Sequence, residues 1–300
     1  MAAEVPWRAT LRALAKHAGI RTGAALLGVV ALMAVFAPYL NTIDPAAIDP
    51  DHVSVPIGER AVFTDLSGHS IDRLFVFGTD GMGRDVYSRV VYGARVSLVV
   101  GTCVAIASVV AGCLIGLFAG YVKALDGPLM RIMDGLMAVP SILLAIALVS
   151  LWGVSLATLV IAIALPDLPR VARVVRATVL SVKTIAFVEV ARMMCTPAWK
   201  IMFRHILPAA MAPLAIQGTF IFGSAILVEA VLSFLGVGFS SDVPTWGNVM
   251  ADGRVNFNIA PHLVLIPGFF LALTIVAVNM LGDGFRDVLD PKYAPSKKSR

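Results

Sequence analysis

The chain has 300 residues, 58% of them hydrophobic and only 14% charged. A soluble domain carries about 25% charged and about 45–50% apolar residues, so a water-soluble globule is excluded and an all-α, polytopic membrane protein is expected. The net charge of +5 is no argument for a nucleic-acid partner, because basic residues of membrane proteins gather in cytoplasmic loops and set orientation.

Arg8, Arg12, Lys16 and Arg21 lead into the first apolar run. That run, Thr22 to Leu40, is too long for a signal-peptide core and ends in no small-x-small cleavage site, so a retained first helix is expected. Runs close to the 20 residues that cross about 30 Å of hydrocarbon as helix predict six transmembrane helices, near 22–41, 96–121, 132–152, 154–169, 209–235 and 262–282. The short alternating segments of a transmembrane barrel are missing. Six spans put both termini on one side. That side carries 18 Lys and Arg against six on the other, which makes it cytoplasmic.

Three regions follow from this count. Residues 1–95 hold a cytoplasmic tail, the first helix and an external loop. Residues 96–283 form a core of five spans with a cytoplasmic insertion at 170–208, and 284–300 are a cytoplasmic tail. The loop from Asn41 to Arg95 is long for a connector, which marks functional or unstructured segments. Within it, Phe77 to Leu98 mixes Gly, Arg and Asp with apolar residues, predicting a turn and then an interfacial amphipathic helix. An inert lid and direct substrate contact both fit that loop. In the second span Ser108, Gly112, Gly116 and Gly120 are four apart, a stripe that lets another helix approach closely.

Cys103, Cys113 and Cys195 form no CxxC pair or zinc spacing, so neither a disulfide framework nor a metal site is expected. In the basic insertion, Phe187, Val190, Ala191 and Met194 recur at helical spacing. Thr196-Pro197 breaks the pattern with an N-cap residue and a first-turn proline. A second short helix is expected through Trp199, Met202, Phe203, Ile206 and Leu207, with Lys200 and Arg204 on its other face and Pro208 closing it. Such a helix pair suits the lipid surface, a groove on a soluble partner or a cap on the bundle.

Polar residues inside spans are costly and face a cavity or a partner. Glu229 and Gln217 in the fifth span are therefore candidates for a translocation path, with a structural hydrogen bond as the competing reading. Asn279 and Asp283 are expected to cap or brace the last helix near Arg286. Gly223-Ser224-Ala225 does not make a hydrolase, because a nucleophilic serine needs a base within reach, and His262 lies at a span edge and His205 outside the membrane. An ion-driven transporter would show broken helices and paired polar groups at the midplane; spans two, three and six carry little charge, and no second half mirrors the first. No phosphate-binding G-x-x-x-x-G-K-[ST] loop occurs, so ATP hydrolysis by this chain is not expected.

Four motifs resemble one family. Glu189-Val190-Ala191, then Cys195, then Leu207-Pro208 are similar in spacing to the E-A-A loop of ABC importer permeases. Val190, Cys195 and His205 stand where Ala, Gly and Ile are usual. FGTDGMGRDVYSRVVYGARVSL (77–98) carries Gly78, Thr79, Asp80, Gly83, Arg84 and Asp85. LSFLGVGFSSDVPTWG (232–247) carries Ser233, Phe234, Leu235 and Gly236. NMLGDGFRDVLDPK (279–292) carries Asn279, Gly282, Asp283, Arg286 and Asp287. All three look like the C-type subunit of dipeptide and oligopeptide permeases.

The resemblance implies a type I ABC importer permease fold and import of peptides, with glutathione or nickel complexes as alternative cargo in the same class. It implies a bacterial inner-membrane location, a second permease subunit in a heterodimer, two cytoplasmic ATPase subunits carrying ATP and Mg, and an extracytoplasmic binding protein. No cofactor on this chain is implied. Coupling to the ATPases is carried over to Glu189, Val190, Ala191, Arg192, Met194, Cys195, Pro197, Trp199, Lys200, Met202, Phe203, His205, Leu207 and Pro208. The Gly usual at position 195 permits a left-handed turn, and a Cys there carries a steric penalty for positive φ.

Overall fold

In lipid every backbone N–H and C=O must be satisfied within the segment, which makes helix the solution for long apolar runs. A computed structural model describes residues 13–289. Its helices are α1 (Ala18–Val35), α2 (Val86–Tyr121), α3 (Lys123–Ala138), α4 (Ser141–Trp152), α5 (Leu156–Ala164), α6 (Leu168–Val182), α7 (Ala186–Met193), α8 (Ala198–Ile201), α9 (Leu207–Phe234), α10 (Trp246–Gly253) and α11 (His262–Leu289). Four helices are long and apolar enough to cross a membrane, and α3 with α4 makes a fifth if that bent pair is one span.

The six expected runs map onto these elements with three differences. The run 132–152 is broken: α3 and α4 meet at 92°. Pro140 disfavours helix at the residue before it, and Val139 is extended at φ −94, ψ 130. The run 154–169 starts with an N-cap, Ser155 accepting from the Thr158 N–H at 3.1 Å, but does not stop at its prolines. Leu165 and Leu168 keep right-handed helical angles, so a single helical turn, Leu165–Asp167, joins α5 to α6. The segment from Arg170 therefore begins as a helix packed in the bundle. Third, the expected short helix after Pro197 is continuous with the fifth span. A π-helical stretch, Met202–Ile206, shifts the ladder just ahead of Pro208, which has no N–H to donate.

The most extensive helix–helix contact among the described residues lies between α2 and α6. A Cβ placed on Gly112, Gly116 or Gly120 would come within 2.6, 2.5 and 2.6 Å of Val171, Ala172 and Val179 on α6. The small-residue stripe thus has a defined partner, and Val171, Val175 and Val179 are fully buried against it. A second core joins α1, α2, α9, α10 and α11 through Val30, Val90, Ile226, Trp246 and Leu263. The Trp246 indole N–H donates to the Val90 carbonyl at 3.1 Å.

The loop between α1 and α2 folds around an antiparallel hairpin, β1 (Glu59–Thr64) with β2 (Ser70–Phe75). Phe63, Phe75 and Val55 form its small core. Asp49 ties the loop together by accepting from the Thr64 N–H and from His52, each at 2.8 Å. Burial pushes the Asp49 carboxyl up, but these bonds outweigh it and hold the group below the ordinary carboxylate range. The turn expected before the second span is present; the separate interfacial helix is not. Asp85 caps α2 by accepting from the Ser88 N–H at 3.0 Å, and α2 then runs unbroken for 36 residues, about 54 Å at 1.5 Å per residue. Its first turns bury Val86, Val90 and Ala94 in protein, which removes the apolar face an interfacial helix would lay on lipid.

The last helix also runs further than the apolar run suggested, to Leu289. Asn279 and Asp283 are exposed within it rather than at its end, so they do not cap it. Asp287 instead lies 3.4 Å from the His17 ring nitrogen beside α1.

Gly116→Val is expected to force α2 and α6 apart, at a cost of about 1–3 kcal/mol or more, and to lower the melting temperature of the detergent-purified protein. Gly135→Ala has open space around it and is expected to leave the melt unchanged or slightly raised.

Candidate functional site

The α7–α8 corner displays a run of exposed apolar side chains. The sequence periodicity there has two faces. Val188 and Ala191 on α7 and Ile201, Met202 and Ile206 beyond the turn point inward and are buried. Phe187, Val190, Met193, Met194, Trp199 and Phe203 are exposed, Met193 by 80% and Trp199 by 64%. The expected stripe of Trp199, Met202 and Phe203 is therefore split, with Met202 anchoring the element and the two aromatics presented outward. Glu189, Pro197, Lys200 and Pro208 are exposed, while His205 and Leu207 are half-buried. Arg192 places its guanidinium 5.2 Å from the centre of the Tyr121 ring at the end of α2. The His205 and Phe187 rings lie 6.3 Å apart, linking the two arms.

The corner is a Schellman turn. The Thr196 N–H donates to the Ala191 carbonyl at 3.1 Å and the Cys195 N–H to Arg192 at 2.9 Å, the paired bonds that close a helix when the next residue is left-handed. That residue is Cys195, at φ +55. The same pair of bonds ends α9: the Val237 N–H reaches Leu232, the Gly236 N–H reaches Ser233, and the left-handed residue is Gly236 at φ +79. One chain thus builds one turn twice, once with glycine and once against the side-chain penalty of about 1–2 kcal/mol. The segment is anchored at its other end by Lys183, whose ammonium donates to the Gly120 carbonyl at the end of α2, 3.0 Å away.

On the opposite side of the molecule the 77–98 motif builds a buried ionic knot. Gly78 and Gly83 take φ +76 and +78, and a Cβ on either would strike the backbone of Val55 or Asp49. The Thr79 hydroxyl donates to the His52 carbonyl at 2.6 Å and accepts from the Val55 N–H. Asp80 accepts from Arg84 Nε at 2.7 Å, and Arg84 Nη2 reaches Asp252 on α10 at 2.6 Å. Arg89 also reaches Asp252, at 3.2 Å. Asp85 pairs with Arg73 of the hairpin at 2.6 Å. Arg84 and Arg89 are 1% and 0% exposed. This knot locks the loop, α2 and α10 together. Asp252 and Arg73 escaped the sequence reading, since Arg84 and Asp252 are 168 positions apart and no local pattern joins them.

The two polar residues of the fifth span part company. Glu229 is fully buried and accepts from Ser233 at 2.8 Å and Ser97 at 3.4 Å, a contact that ties α9 to α2. Gln217 lines a groove of about 420 Å³ between α6, α9 and α11, together with Arg286. Phe234 receives the Arg254 guanidinium on both its carbonyl, at 2.7 Å, and its ring, at 5.3 Å. Leu235 is exposed. Gly282 lets α11 pass close to Thr219 on α9, where a Cβ would lie 2.7 Å from the hydroxyl. No cluster of His, Cys, Asp or Glu fit to hold a metal occurs among the described residues.

Residues 108–295 match the family model described as "Binding-protein-dependent transport system inner membrane component". Residues 6–56 match "N-terminal TM domain of oligopeptide transport permease C". The chain is 43% identical to a probable peptide ABC transporter permease protein of Sinorhizobium fredii, over 97% of this chain and 94% of that protein. It is 40% identical to a dipeptide transport system permease protein of Alkalihalophilus pseudofirmus (96% and 90%). It is 36% identical to a glutathione transport system permease protein of Pectobacterium atrosepticum (96% and 91%).

Cys195→Gly is expected to relieve the left-handed strain and stabilise the corner by about 1 kcal/mol, read as slower cleavage within 184–208 by added protease. Cys195→Val, with a β-branched side chain at positive φ, is expected to speed that cleavage.

Proposed function

We propose a function from one premise: the chain belongs to the binding-protein-dependent transport system inner membrane component family. It is a membrane permease subunit of an ABC importer whose cargo is peptides, and ATP is hydrolysed on separate ATPase subunits. The single observation that carries the mechanism is the α7–α8 corner. Six large apolar side chains stand exposed there, and the second arm of the corner is part of a 37-residue membrane helix, Ala198–Phe234. An apolar helix face of this kind fits a groove on a soluble partner.

In this reading the corner seats in a cleft on a cytoplasmic ATPase, with Trp199 and Phe203 as the buried anchors and Glu189 and Lys200 at the rim. ATP-driven closure of the ATPases displaces the corner. The displacement passes into α9 through the unbroken helix and into α6 through the short link at 183–185. The permease then alternates between inward- and outward-open states. The finer assignments belong to the same proposal: six spans in a type I importer fold, a heterodimer with a second permease subunit, and two ATPases holding ATP and Mg. Cargo arrives on an extracytoplasmic binding protein, and the subunit lies in the inner membrane with both termini cytoplasmic.

Peptide import is favoured by the relatives named for peptides and dipeptides at 40% identity and above. The relative named for glutathione, at 36% identity, keeps a γ-linked tripeptide within the same cargo class.

Trp199→Glu is expected to weaken capture of the ATPase subunits by at least about tenfold, since a central tryptophan at an interface is worth about 2 kcal/mol or more. Uptake of a labelled dipeptide by cells should fall in parallel, with unchanged abundance in the membrane fraction. Undiminished uptake in that variant would overturn the coupling role of the corner.

A further inference from the structure

We propose that Asp126–Arg176 and Asp134–Arg173 are positioning pairs that carry the stroke of α6 into α3, and through it into α4. The inference rests on the reading of α7–α8 as the ATPase-facing lever, and goes beyond it by naming the joint through which a third helix follows.

The argument starts from how little else holds α3. Of its 16 residues, only Met133 is buried. Both of its ends are extended joints: Val122 at φ −97, ψ 102 and Val139 at φ −94, ψ 130. A helix with almost no buried face and a break at each end is a strut, and its angle is set by whatever polar contacts it makes. Its cross-helix ion pairs among the described residues are with α6. Arg176 grips Asp126 with two parallel bonds, Nε to Oδ1 at 2.5 Å and Nη2 to Oδ2 at 2.7 Å. Arg173, one turn earlier, reaches Asp134 at 2.5 Å. The bidentate fork fixes orientation as well as distance.

The two sides of the joint differ in stiffness. Val171, Val175 and Val179 of α6 are fully buried against the α2 glycines, and α6 ends three residues before α7. Movement of the corner therefore reaches Arg173 and Arg176 through a short rigid path. On the far side, α3 turns at Pro140 into α4, which exposes Leu143, Leu151 and Trp152. Arg173 and Asp134 are 47% and 60% exposed, a setting in which an ion pair adds little to stability. The pairs suit transmission rather than cohesion: they orient α3 without welding it, and they re-form as α6 moves.

The test uses the complete transporter in proteoliposomes, with dipeptide uptake and ATP hydrolysis measured together. Asp126→Arg and Arg176→Asp should each cut the peptide moved per ATP about fivefold or more, the scale of a coupling energy of 1 kcal/mol or above, while ATPase capture persists. The double swap, which restores attraction with reversed sign, should recover most of the loss. Where a single swap lowers membrane abundance, Asp126→Asn with Asp134→Asn removes both attractions without adding repulsion and is expected to give the same loss. Wild-type uptake per ATP in the swapped or neutralised variants, or no recovery in the double swap, overturns the positioning role. That failure is separable from failure of the lever itself, because Trp199→Glu loses ATPase capture and these variants retain it.

Discussion

The close approach of α2 and α6 is the contact on which the rest of the molecule depends. Three glycines at four-residue spacing remove every side chain that would hold the helices apart, and three valines fill the space gained. In lipid there is no hydrophobic drive between helices, so close van der Waals fit of the two backbones is a main source of this association. Its consequence is positional. By seating α6 along α2 it draws a basic, amphipathic stretch into the bundle and delivers the chain to the α7–α8 corner at the end of α2. There Lys183 and Arg192 find the Gly120 carbonyl and the Tyr121 ring.

Two polar systems then set the two ends of the molecule apart. At one end, Arg84, Arg89 and Asp80 are enclosed, and both arginines pair with Asp80 and with the partly exposed Asp252. Removing one member of such a knot would leave a buried charge without its counter-ion, a loss of about 3–5 kcal/mol. At the other end, the pairs of α3 with α6 are partly open to solvent, and the apolar corner beyond them is uncovered. The enclosed knot at one end and the partly open pairs at the other give the two ends of the molecule different polar character.

Much of this was legible in the sequence because it rests on local rules. The apolar runs near 22–41, 209–235 and 262–282 appear as helices, and the 108–120 stripe is a packing face. The turn at Cys195 sits where Thr196-Pro197 interrupts the periodicity. What escaped depends on neighbours distant in the chain. Pro140 and Pro166 look alike as helix breakers, yet one bends the chain by 92° while the other is absorbed in a continuous helix. Proline in a first turn loses no hydrogen bond, and tertiary packing decides which of the two applies. The inward face of Met202 and the outward face of Trp199 differ by three residues, and the π-helical stretch that begins at Met202 re-aims the residues that follow it. For Glu229 the sequence offered a path residue or a structural hydrogen bond, and the donor that supports the second, Ser97, lies 132 residues away.

The twin turns at Cys195 and Gly236 separate shape from spelling. Both ends close with the same two backbone bonds, so the angle between the arms is fixed by the main chain, and the side chain only taxes it. A family motif written with glycine at this corner describes the cheapest occupant rather than an indispensable one. Within this one chain the geometry is kept while the residue differs, and its backbone mark is one left-handed residue bracketed by crossed carbonyl contacts.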